Sequence, residues 1–453
     1  MLNEKKLASI LDQELPSLTI KDIHWRSQDS DESSILFYRI GTDEKSHQMF
    51  KERIAAAKFG WLIVNTEHPD LPKNASVISE EKWPEIQKEI LDTLYPLPHS
   101  KMIAITGTNG KTTTTDLVLQ LGHLIGKKGL SVGTLGVREL GKTILDFGLT
   151  SPSFIDLRKF LNLYGKDKDF CVMEASSHAL IQNRLYDLKF DSAGWLSFSQ
   201  DHLDYHRSME AYFDAKCLLL TQLTETAKIF VPTEQKRLFE EILTVSTKTV
   251  KAPEIENDLP LFFRTRFNKN NLEVALAIVE DTFKTKVPRN FENLEAPDGR
   301  FYIKPYKSNF IVVDFAHTPD ALENICKGIR ETFPHHRLKV LFGCGGDRDR
   351  TKRPKMAQVV DQLADEIYVT SDNPRSEDPE QIINDVIQGI TQKTYKRITE
   401  RPKAVAQAFS ELTENEVLLL AGKGHEDYIL IHGVKHPYSD IREVDLFLAR
   451  NNQ

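Results

Sequence analysis

The chain has 453 residues, which at roughly 150 residues per domain predicts about three domains and excludes a small disulfide-stapled scaffold. Lys and Arg total 59 against 66 Asp and Glu, so the formal net charge is −7, with 40% hydrophobic and 28% charged residues. This mildly acidic balance is typical of a globular protein and argues against non-specific binding to nucleic acid or to an acidic membrane.

Neither a membrane span nor a disulfide framework is indicated. No apolar run approaches the ~18 residues that a membrane span requires, and charges interrupt the first 15 residues, unlike a signal peptide. The four cysteines, Cys171, Cys217, Cys326 and Cys344, have no Cys-x-x-Cys spacing. The sequence therefore predicts a reduced, cytoplasmic protein.

The N-terminal part reads as a small α/β unit. Two apolar β-type runs, Ile35–Ile40 and Trp61–Val64, are separated by a charged helical stretch around residues 50–58. Pro96 and Pro98 then interrupt any helix, which places the first domain boundary there.

From Met102 onward, strand and helix patterns alternate as in a buried parallel sheet. The apolar runs cover residues 102–105, 170–173, 193–198, 310–315, 338–342, 367–370 and 417–421. The predicted domains are residues 1–97, 98–297 and 298–453. In the last, doubly wound domain, a ligand site is expected in the loops that follow the strands.

The segment Gly107–Thr113 predicts a phosphate-binding loop. It joins a strand to a helix through two glycines, and Lys111 and Thr112 open the helix. Backbone N–H groups and the helix N-terminus form a polyphosphate cradle, with Lys111 as a point charge and Thr112 as a Mg²⁺ ligand. Since Ile105 stands where the full motif requires glycine, this is a shorter G-x-x-G-K-T-T variant. The alternative is a plain glycine turn with an exposed lysine.

Charged groups follow two other strands of the middle domain. Glu174 follows the run 170–173, and Asp201 and His202 follow the run that ends at Phe198. A carboxylate in such a position holds Mg²⁺ whose other ligands are phosphate oxygens. A helix cap or a surface charge is the alternative for each motif, but their combination with a phosphate loop favours metal binding.

Arginines and carboxylates occur together in two loops of the last domain, Gly343–Arg350 and Thr370–Arg375. Guanidinium forks suit substrate carboxylates and aspartates suit an ammonium group, so the loops predict a site for a zwitterionic amino acid. An intramolecular salt-bridge network is the alternative. The loop Gly422–Asp427 adds glycines that let backbone approach a ligand.

Together, the order of these motifs resembles that of the Mur ligase family. The shared motifs are Gly107–Thr113, Glu174–Leu180, Asp201–His206, Phe267–Asn271, Gly299–Arg300, Asp314–Asp320, Gly343–Pro354, Asp372–Arg375 and Gly422–Asp427. The resemblance implies an α/β fold with three domains: a small N-terminal α/β domain that binds a UDP-sugar, a central P-loop ATPase domain and a C-terminal Rossmann-like domain. It further implies an ATP-dependent amide ligase of peptidoglycan synthesis that works through an acyl phosphate.

The resemblance also assigns residues to the ATP chemistry. The catalytic residues are Lys111, Glu174, His202 and Lys216. The ATP contacts are Gly107, Thr108, Asn109, Gly110, Lys111, Thr112, Thr113, Asn268, Asn271, Arg300 and Asp314. The Mg²⁺ ligands are Thr112, Glu174, His202 and Lys216. Lys216 stands where the family carries a carbamylated lysine (N6-carboxylysine), an anion able to assist Mg²⁺ binding.

Two further residue sets are implied for the other substrates. The contacts to UDP-N-acetylmuramoyl-L-alanyl-D-glutamate are Ser27, Thr150, Ser151, Ser176, Gln182 and Arg184. The amino-acid contacts are Arg348, Asp372, Asn373, Pro374, Arg375, Gly422 and Glu426. The Asp-Asn-Pro-Arg sequence is the form associated with meso-diaminopimelate. The protein is expected to act as a monomer with these substrates and ATP, without nucleic acid or membrane partners.

Some positions depart from the family pattern. Ser197 replaces a usual Asn, Ile429 replaces a Gln, and residues 29–47 lack the usual glycine-rich and Asp-Gly-His pattern. Two alternatives follow: a paralogue that acts on another carboxylate acceptor, as folylpolyglutamate synthases do, or an inactive nucleotide-binding scaffold. The presence of Lys111, Glu174 and His202, together with Lys216, argues against the scaffold.

Overall fold

The computed structural model describes residues 1–246, 248–255 and 259–451. Contacts group the chain into two compact units. The first consists of Met1–Ala104, Gly126–Asp191 and Leu218–Thr226, and the second of Ile105–Ile125, Ser192–Cys217 and Ala227–Gln453. Because these units cut across the predicted middle domain, the division at residues 97 and 297 stays a prediction.

Residues 1–95 form an α/β layer in the first unit. The strands are β1 (Leu2–Asn3), β2 (Thr19–Ile20), β3 (Asp22–His24), β4 (Ser34–Tyr38), β5 (Trp61–Val64) and β6 (Ala75–Val77), and the helices are α1 (Glu4–Leu11), α2 (Glu44–Ala56) and α3 (Trp83–Leu94). Strands β3, β4, β5 and β6 pair in that order, all parallel.

Burial on both faces explains the continuous apolar runs of β4 and β5. Ile35 and Phe37 belong to the core on one face of the sheet, whereas Leu36 packs with Phe50 of α2 on the other. The two predicted strands are confirmed. Helix α2 begins earlier than the predicted stretch because Asp43 caps it, its side chain accepting a hydrogen bond from the backbone N–H of Ser46.

The next part of the chain contributes elements to both units. The strands are β7 (Lys101–Thr106), β8 (Gly129–Gly133), β9 (Gly136–Glu139), β10 (Lys142–Leu145), β11 (Phe170–Glu174), β12 (Phe190–Trp195), β13 (Leu223–Val231) and β14 (Thr249–Lys251). The helices are α4 (Lys111–Leu124), α5 (Phe154–Tyr164), α6 (Ser177–Ile181), α7 (Leu203–His206), α8 (Met209–Cys217), α9 (Lys236–Val245) and α10 (Arg266–Phe283). In the first unit β11 pairs in parallel with β8, and β8, β9 and β10 pair antiparallel. In the second unit α10 packs against α4.

The remainder of the second unit is a doubly wound domain. Its strands are β15 (Tyr302–Tyr306), β16 (Asn309–Asp314), β17 (Arg337–Phe342), β18 (Glu366–Val369), β19 (Tyr395–Arg397), β20 (Glu416–Ala421), β21 (Tyr428–Ile431) and β22 (Val434–Pro437). Its helices are α11 (Pro319–Thr332), α12 (Lys352–Leu363), α13 (Pro379–Ile387), α14 (Arg401–Ser410) and α15 (Asp440–Asn451).

The sheet of this domain has the order β15-β16-β20-β17-β18-β19, and only the edge strand β15 is antiparallel. Val312 of β16 packs under α11–α13 on one face, and its neighbour Val313 packs under α14 and α15 on the other. The four predicted strands and the α/β fold class are confirmed. Because β16, β20, β17 and β18 are consecutive and parallel, the loops that follow them meet at one sheet edge.

No helix within the described ranges combines the length and the hydrophobicity that crossing a membrane requires.

Candidate active site

The phosphate-binding loop predicted from the sequence connects β7 to α4 in the second unit. Gly110 has φ +89°, and a Cβ there would lie 2.5 Å from Oδ1 of Asn271, so only glycine fits. The Lys111 ammonium donates to the carbonyl oxygens of Gly107 at 2.8 Å and Thr108 at 3.0 Å. The lysine therefore lies over the loop, where bound phosphates would meet its charge.

Two serines after β12 fix the loop in place. Ser197 Oγ accepts a hydrogen bond from the backbone N–H of Asn109 at 2.9 Å and donates to its carbonyl oxygen at 3.2 Å. The backbone N–H of Ser199 donates to Thr108 Oγ1 at 3.1 Å. Ser197, a departure from the family pattern, thus keeps a polar contact to the loop.

Lys216, on α8, lies beneath the same loop. Its side chain is 1% exposed, and its ammonium donates to the carbonyl oxygen of Gly107 at 3.0 Å. Burial, reinforced by the charge of Lys111, lowers the pKa of Lys216 well below its ordinary value, although Asp201 opposes the shift. Lys216 makes no ion pair within the described residues. The arrangement favours a neutral amine at this position.

The Asp201-His202 motif lies beside Lys216 in the second unit. Oδ2 of Asp201 is 3.4 Å from Nε2 of His202, whose side chain is 43% exposed. Burial raises the pKa of Asp201, but the positive charges of His202 and Lys352 outweigh it and the pKa is lowered. Asp201 therefore stays ionised and orients an accessible imidazole.

The residues predicted to contact ATP all lie in the second unit. Arg300 donates to Thr112 Oγ1 at 3.2 Å and stacks over Phe315 at 4.5 Å. Burial raises the pKa of Asp314, whose carboxylate accepts the backbone N–H of Phe301 and that of Ala316, each at 2.7 Å. On α10, Asn271 Nδ2 donates to Asn268 Oδ1 at 3.4 Å. The structure thus connects Arg300 to the helix that carries the phosphate loop.

Glu174 ends β11 in the first unit and is 2% exposed. Its two carboxylate oxygens accept hydrogen bonds from the N–H (2.8 Å) and Oγ1 (3.2 Å) of Thr134. Ser151 Oγ donates to the carbonyl oxygen of Glu174 at 2.8 Å and lies 3.2 Å from Ser176 Oγ. Thr134, which the sequence analysis did not single out, also bonds Thr150 at 3.3 Å.

Other residues predicted to contact the acceptor substrate join this hydrogen-bond network. Arg184 donates to the carbonyl oxygen of Ser151 at 2.8 Å and to Gln182 Oε1 at 2.6 Å. Ser27 lies apart in sequence, at the start of the 3₁₀ helix Ser27–Asp29, where its carbonyl oxygen accepts from Ser30 Oγ at 2.9 Å. Five of the six residues predicted to contact the acceptor substrate thus form one connected cluster of hydroxyl, amide and guanidinium groups in the first unit.

The three arginine and glycine loops meet at the sheet edge of the second unit. Arg375 Nη1 donates to the carbonyl oxygen of Gly346 at 2.8 Å, and Asn373 Nδ2 donates to Glu426 Oε2 at 2.8 Å. Burial and the charge of Arg348 lower the pKa of Arg375. The two guanidinium groups are therefore close enough to repel each other.

The salt-bridge alternative describes Arg350 of the first predicted loop, and also Arg353, which follows that loop. Arg353 and Arg350 pair with Glu377, each at 2.8 Å. Arg348 and Arg375 instead donate to backbone carbonyl oxygens, and neither forms an ion pair within the described part of the chain. The salt-bridge alternative therefore does not account for Arg348 and Arg375.

Comparison with known proteins places this arrangement in a family. The model of the Mur ligase middle domain matches residues 105–287, and that of the Mur ligase glutamate ligase domain matches residues 299–424. A UDP-N-acetylmuramoyl-L-alanyl-D-glutamate--2,6-diaminopimelate ligase of Aquifex aeolicus (strain VF5) is 35% identical, over 99% of this chain and 98% of its own length. The chain belongs to the Mur ligase family.

Other Mur ligases extend the comparison. A ligase of the same description from Clostridium acetobutylicum is 31% identical over 94% of both chains. A solved structure of a UDP-N-acetylmuramoyl-L-alanyl-D-glutamate--2,6-diaminopimelate ligase is 27% identical, with a TM-score of 0.63 over 99% of both chains. A MurF ligase of Thermotoga maritima in complex with ADP has a TM-score of 0.62 over 91% of this chain and 96% of its own, at 15% identity, and shows the fold alone. The predicted three-domain Mur ligase fold class is confirmed.

In this Mur ligase, the structure adds residues that sequence reasoning missed. Ser199, Thr134 and Lys423 each contact predicted site residues. For Lys423, the available signal was its place between Gly422 and Gly424, in a loop already expected to approach a ligand. Within the described residues, no three His, Cys, Asp or Glu side chains form a ready-made metal site.

Proposed function

We propose that this Mur ligase is a cytoplasmic enzyme that uses ATP and Mg²⁺ to join meso-diaminopimelate to UDP-N-acetylmuramoyl-L-alanyl-D-glutamate. The observation that carries the amino-acid assignment is the pair Arg348 and Arg375, two neighbouring guanidinium groups without ion-pair partners in the described residues. Such a pair attracts a carboxylate. Diaminopimelate has a carboxylate at its distal end, and lysine does not.

The reaction is a carboxylate activation followed by amide formation. A carboxylate oxygen of the acceptor attacks the γ-phosphorus of ATP, the bond to the bridging oxygen breaks, and ADP leaves. The neutral amine of the amino acid then attacks the acyl carbon, phosphate leaves and a proton is released. Lys111 and the N–H groups of the Gly107–Gly110 loop supply positive charge to the phosphoryl oxygens during transfer.

The predicted metal ligands have suitable chemistry. Thr112 offers a hydroxyl, Glu174 a carboxylate, His202 an accessible imidazole, and carbamylated Lys216 a second anion. When bound, Mg²⁺ neutralises phosphate charge and thereby eases transfer. The hydroxyl cluster around Ser151 and Arg184 is proposed to bind the peptide of the acceptor.

The direct test measures phosphate release with UDP-muramoyl dipeptide, ATP and a panel of amino acids. We expect rapid release with meso-diaminopimelate and little with L-lysine, D-alanine or L-glutamate. Release with none of them, or only with a folate-like acceptor and glutamate, would replace the proposal with that of a paralogue.

Carbamylation of Lys216 is expected because its buried amine is biased to the neutral form that attacks CO₂. The neutral amine nitrogen forms a bond to the carbon of CO₂, one C–O π bond opens to give a carboxylate, one N–H proton is released, and a neutral amine becomes an anion. Since the amine must be neutral, carbamylation falls as the pH decreases through its lowered pKa. We expect K216A to be nearly inactive and to recover part of its rate with acetate or formate.

The control for this rescue is K111A, which lacks a cation and should gain nothing from added carboxylate. Full activity of K216A, or equal rescue of both variants, contradicts carbamylation. Mass spectrometry of the wild-type enzyme in bicarbonate provides an independent measurement of Lys216 carbamylation.

A further inference from the structure

Lys423 is a fully buried charge in the loop between β20 and β21. Its ammonium lies 3.1 Å from Asp372 Oδ1, 3.2 Å from Asn373 Oδ1 and 3.0 Å from Glu426 Oε2. An ammonium group has three N–H donors, and these three acceptors match them. All three acceptors belong to the set predicted to contact the amino acid.

The same contacts fix the orientation of the Asn373 amide. Its Oδ1 also accepts the backbone N–H of Leu430 at 2.8 Å, while its Nδ2 donates to Glu426 at 2.8 Å. With Oδ1 facing the cation Lys423, only the Nδ2 end can face the carboxylate. Without this lysine, two carboxylates would lie around one amide with no cation between them.

The carboxylates of Asp372 and Glu426 are surrounded by different sets of positive charges. Burial raises the pKa of Asp372, but the charges of Lys423, Arg401 and His317 outweigh it and the pKa is lowered. Glu426 forms an ion pair with Lys423, and it also interacts electrostatically with the positive charge of Arg375. One ammonium is hydrogen-bonded to two carboxylates, and carboxylate oxygens are the acceptors that suit the ammonium group of an amino acid.

We propose that Lys423 is a positioning residue that holds Asp372, Asn373 and Glu426 in the geometry that binds the incoming amino acid. This inference rests on the proposed function, since these residues are the proposed amino-acid contacts. Lys423 acts through its three partners and has no role in ATP or acceptor binding.

The test compares K423M with K339M. Lys339 is a matched control because it is also buried, 3% exposed, and pairs with Glu416 at 3.0 Å, but it lies on β17 away from the loops that follow the strands. For K423M we expect the KM for the amino acid to rise about 10-fold or more, because charged hydrogen bonds are lost. The KM values for ATP and for the acceptor substrate should stay within about two-fold of the wild-type values, because mutations at distant sites act independently.

A pH profile separates positioning from a structural role. Removing the cation raises the pKa of Asp372, so the acid limb of kcat/KM for the amino acid moves to higher pH in K423M but not in K339M. The measurement uses whichever amino acid the wild-type enzyme prefers, so a wild type that prefers another amino acid overturns the substrate assignment without affecting this test.

Unchanged KM and pH profile in K423M, or equal changes in K339M, overturn the proposal. If K423M does not fold, K423Q, whose neutral amide keeps N–H donors at this position, is judged by the same two readouts. Circular dichroism and thermal melting establish that each variant is folded.

Discussion

Replacing Lys111 with alanine should lower kcat by about 10³-fold while the protein stays folded. The ammonium lies over the phosphate loop, within 3.0 Å of two of its carbonyl oxygens. Its charge is needed most when negative charge builds on the transferring phosphoryl oxygens, so its loss affects turnover more than fold. The measurement is initial-rate phosphate release at saturating ATP.

The control for K111A is K101A. Lys101 begins the strand that leads to the loop, and its ammonium, 53% exposed, pairs with Asp191 at 2.8 Å. An exposed pair contributes little to stability, so K101A should keep the wild-type rate. A K111A enzyme with near-wild-type kcat would contradict the phosphate-site assignment.

The second large effect concerns substrate choice. We expect the wild-type enzyme to prefer meso-diaminopimelate over L-lysine by about 10⁴-fold in kcat/KM, because a site built for a carboxylate leaves charged donors unpaired when the carboxylate is missing. Arg375 is held by Gly346, and its guanidinium is half-buried beside that of Arg348. R375A should therefore lower diaminopimelate use far more than lysine use.

R350A is the matched control for R375A. Arg350 belongs to the same group of loops but is 64% exposed and already pairs with Glu377. Its removal should leave the ratio of the two kcat/KM values unchanged. Equal use of the two amino acids by the wild-type enzyme would show that Arg375 does not recognise a distal carboxylate.

The strands that the sequence predicted share one property, which is burial on both faces. Runs such as Trp61–Val64 and Val417–Ala421 are continuously apolar because helices cover both sides of their sheets. Strands with polar or exposed residues were not predicted, among them β3 and the β9–β10 hairpin. Their pairing depends on neighbouring strands and leaves no strong local pattern.

The glycine turn between β7 and α4, which is predicted to bind phosphate, was determined by sequence alone, since its glycines, lysine and threonine lie within seven residues and its shape depends on local backbone geometry. Which arginines form an ion pair with a carboxylate of the same chain was decided only by the tertiary structure. Arg348, Arg350 and Arg353 occupy one stretch of similar composition, yet Glu377 neutralises the last two and leaves the first. Likewise, Lys423 meets Asp372 across 51 residues of chain. Such pairings are made by the parallel strands that bring distant loops to one sheet edge, and no local sequence pattern encodes them.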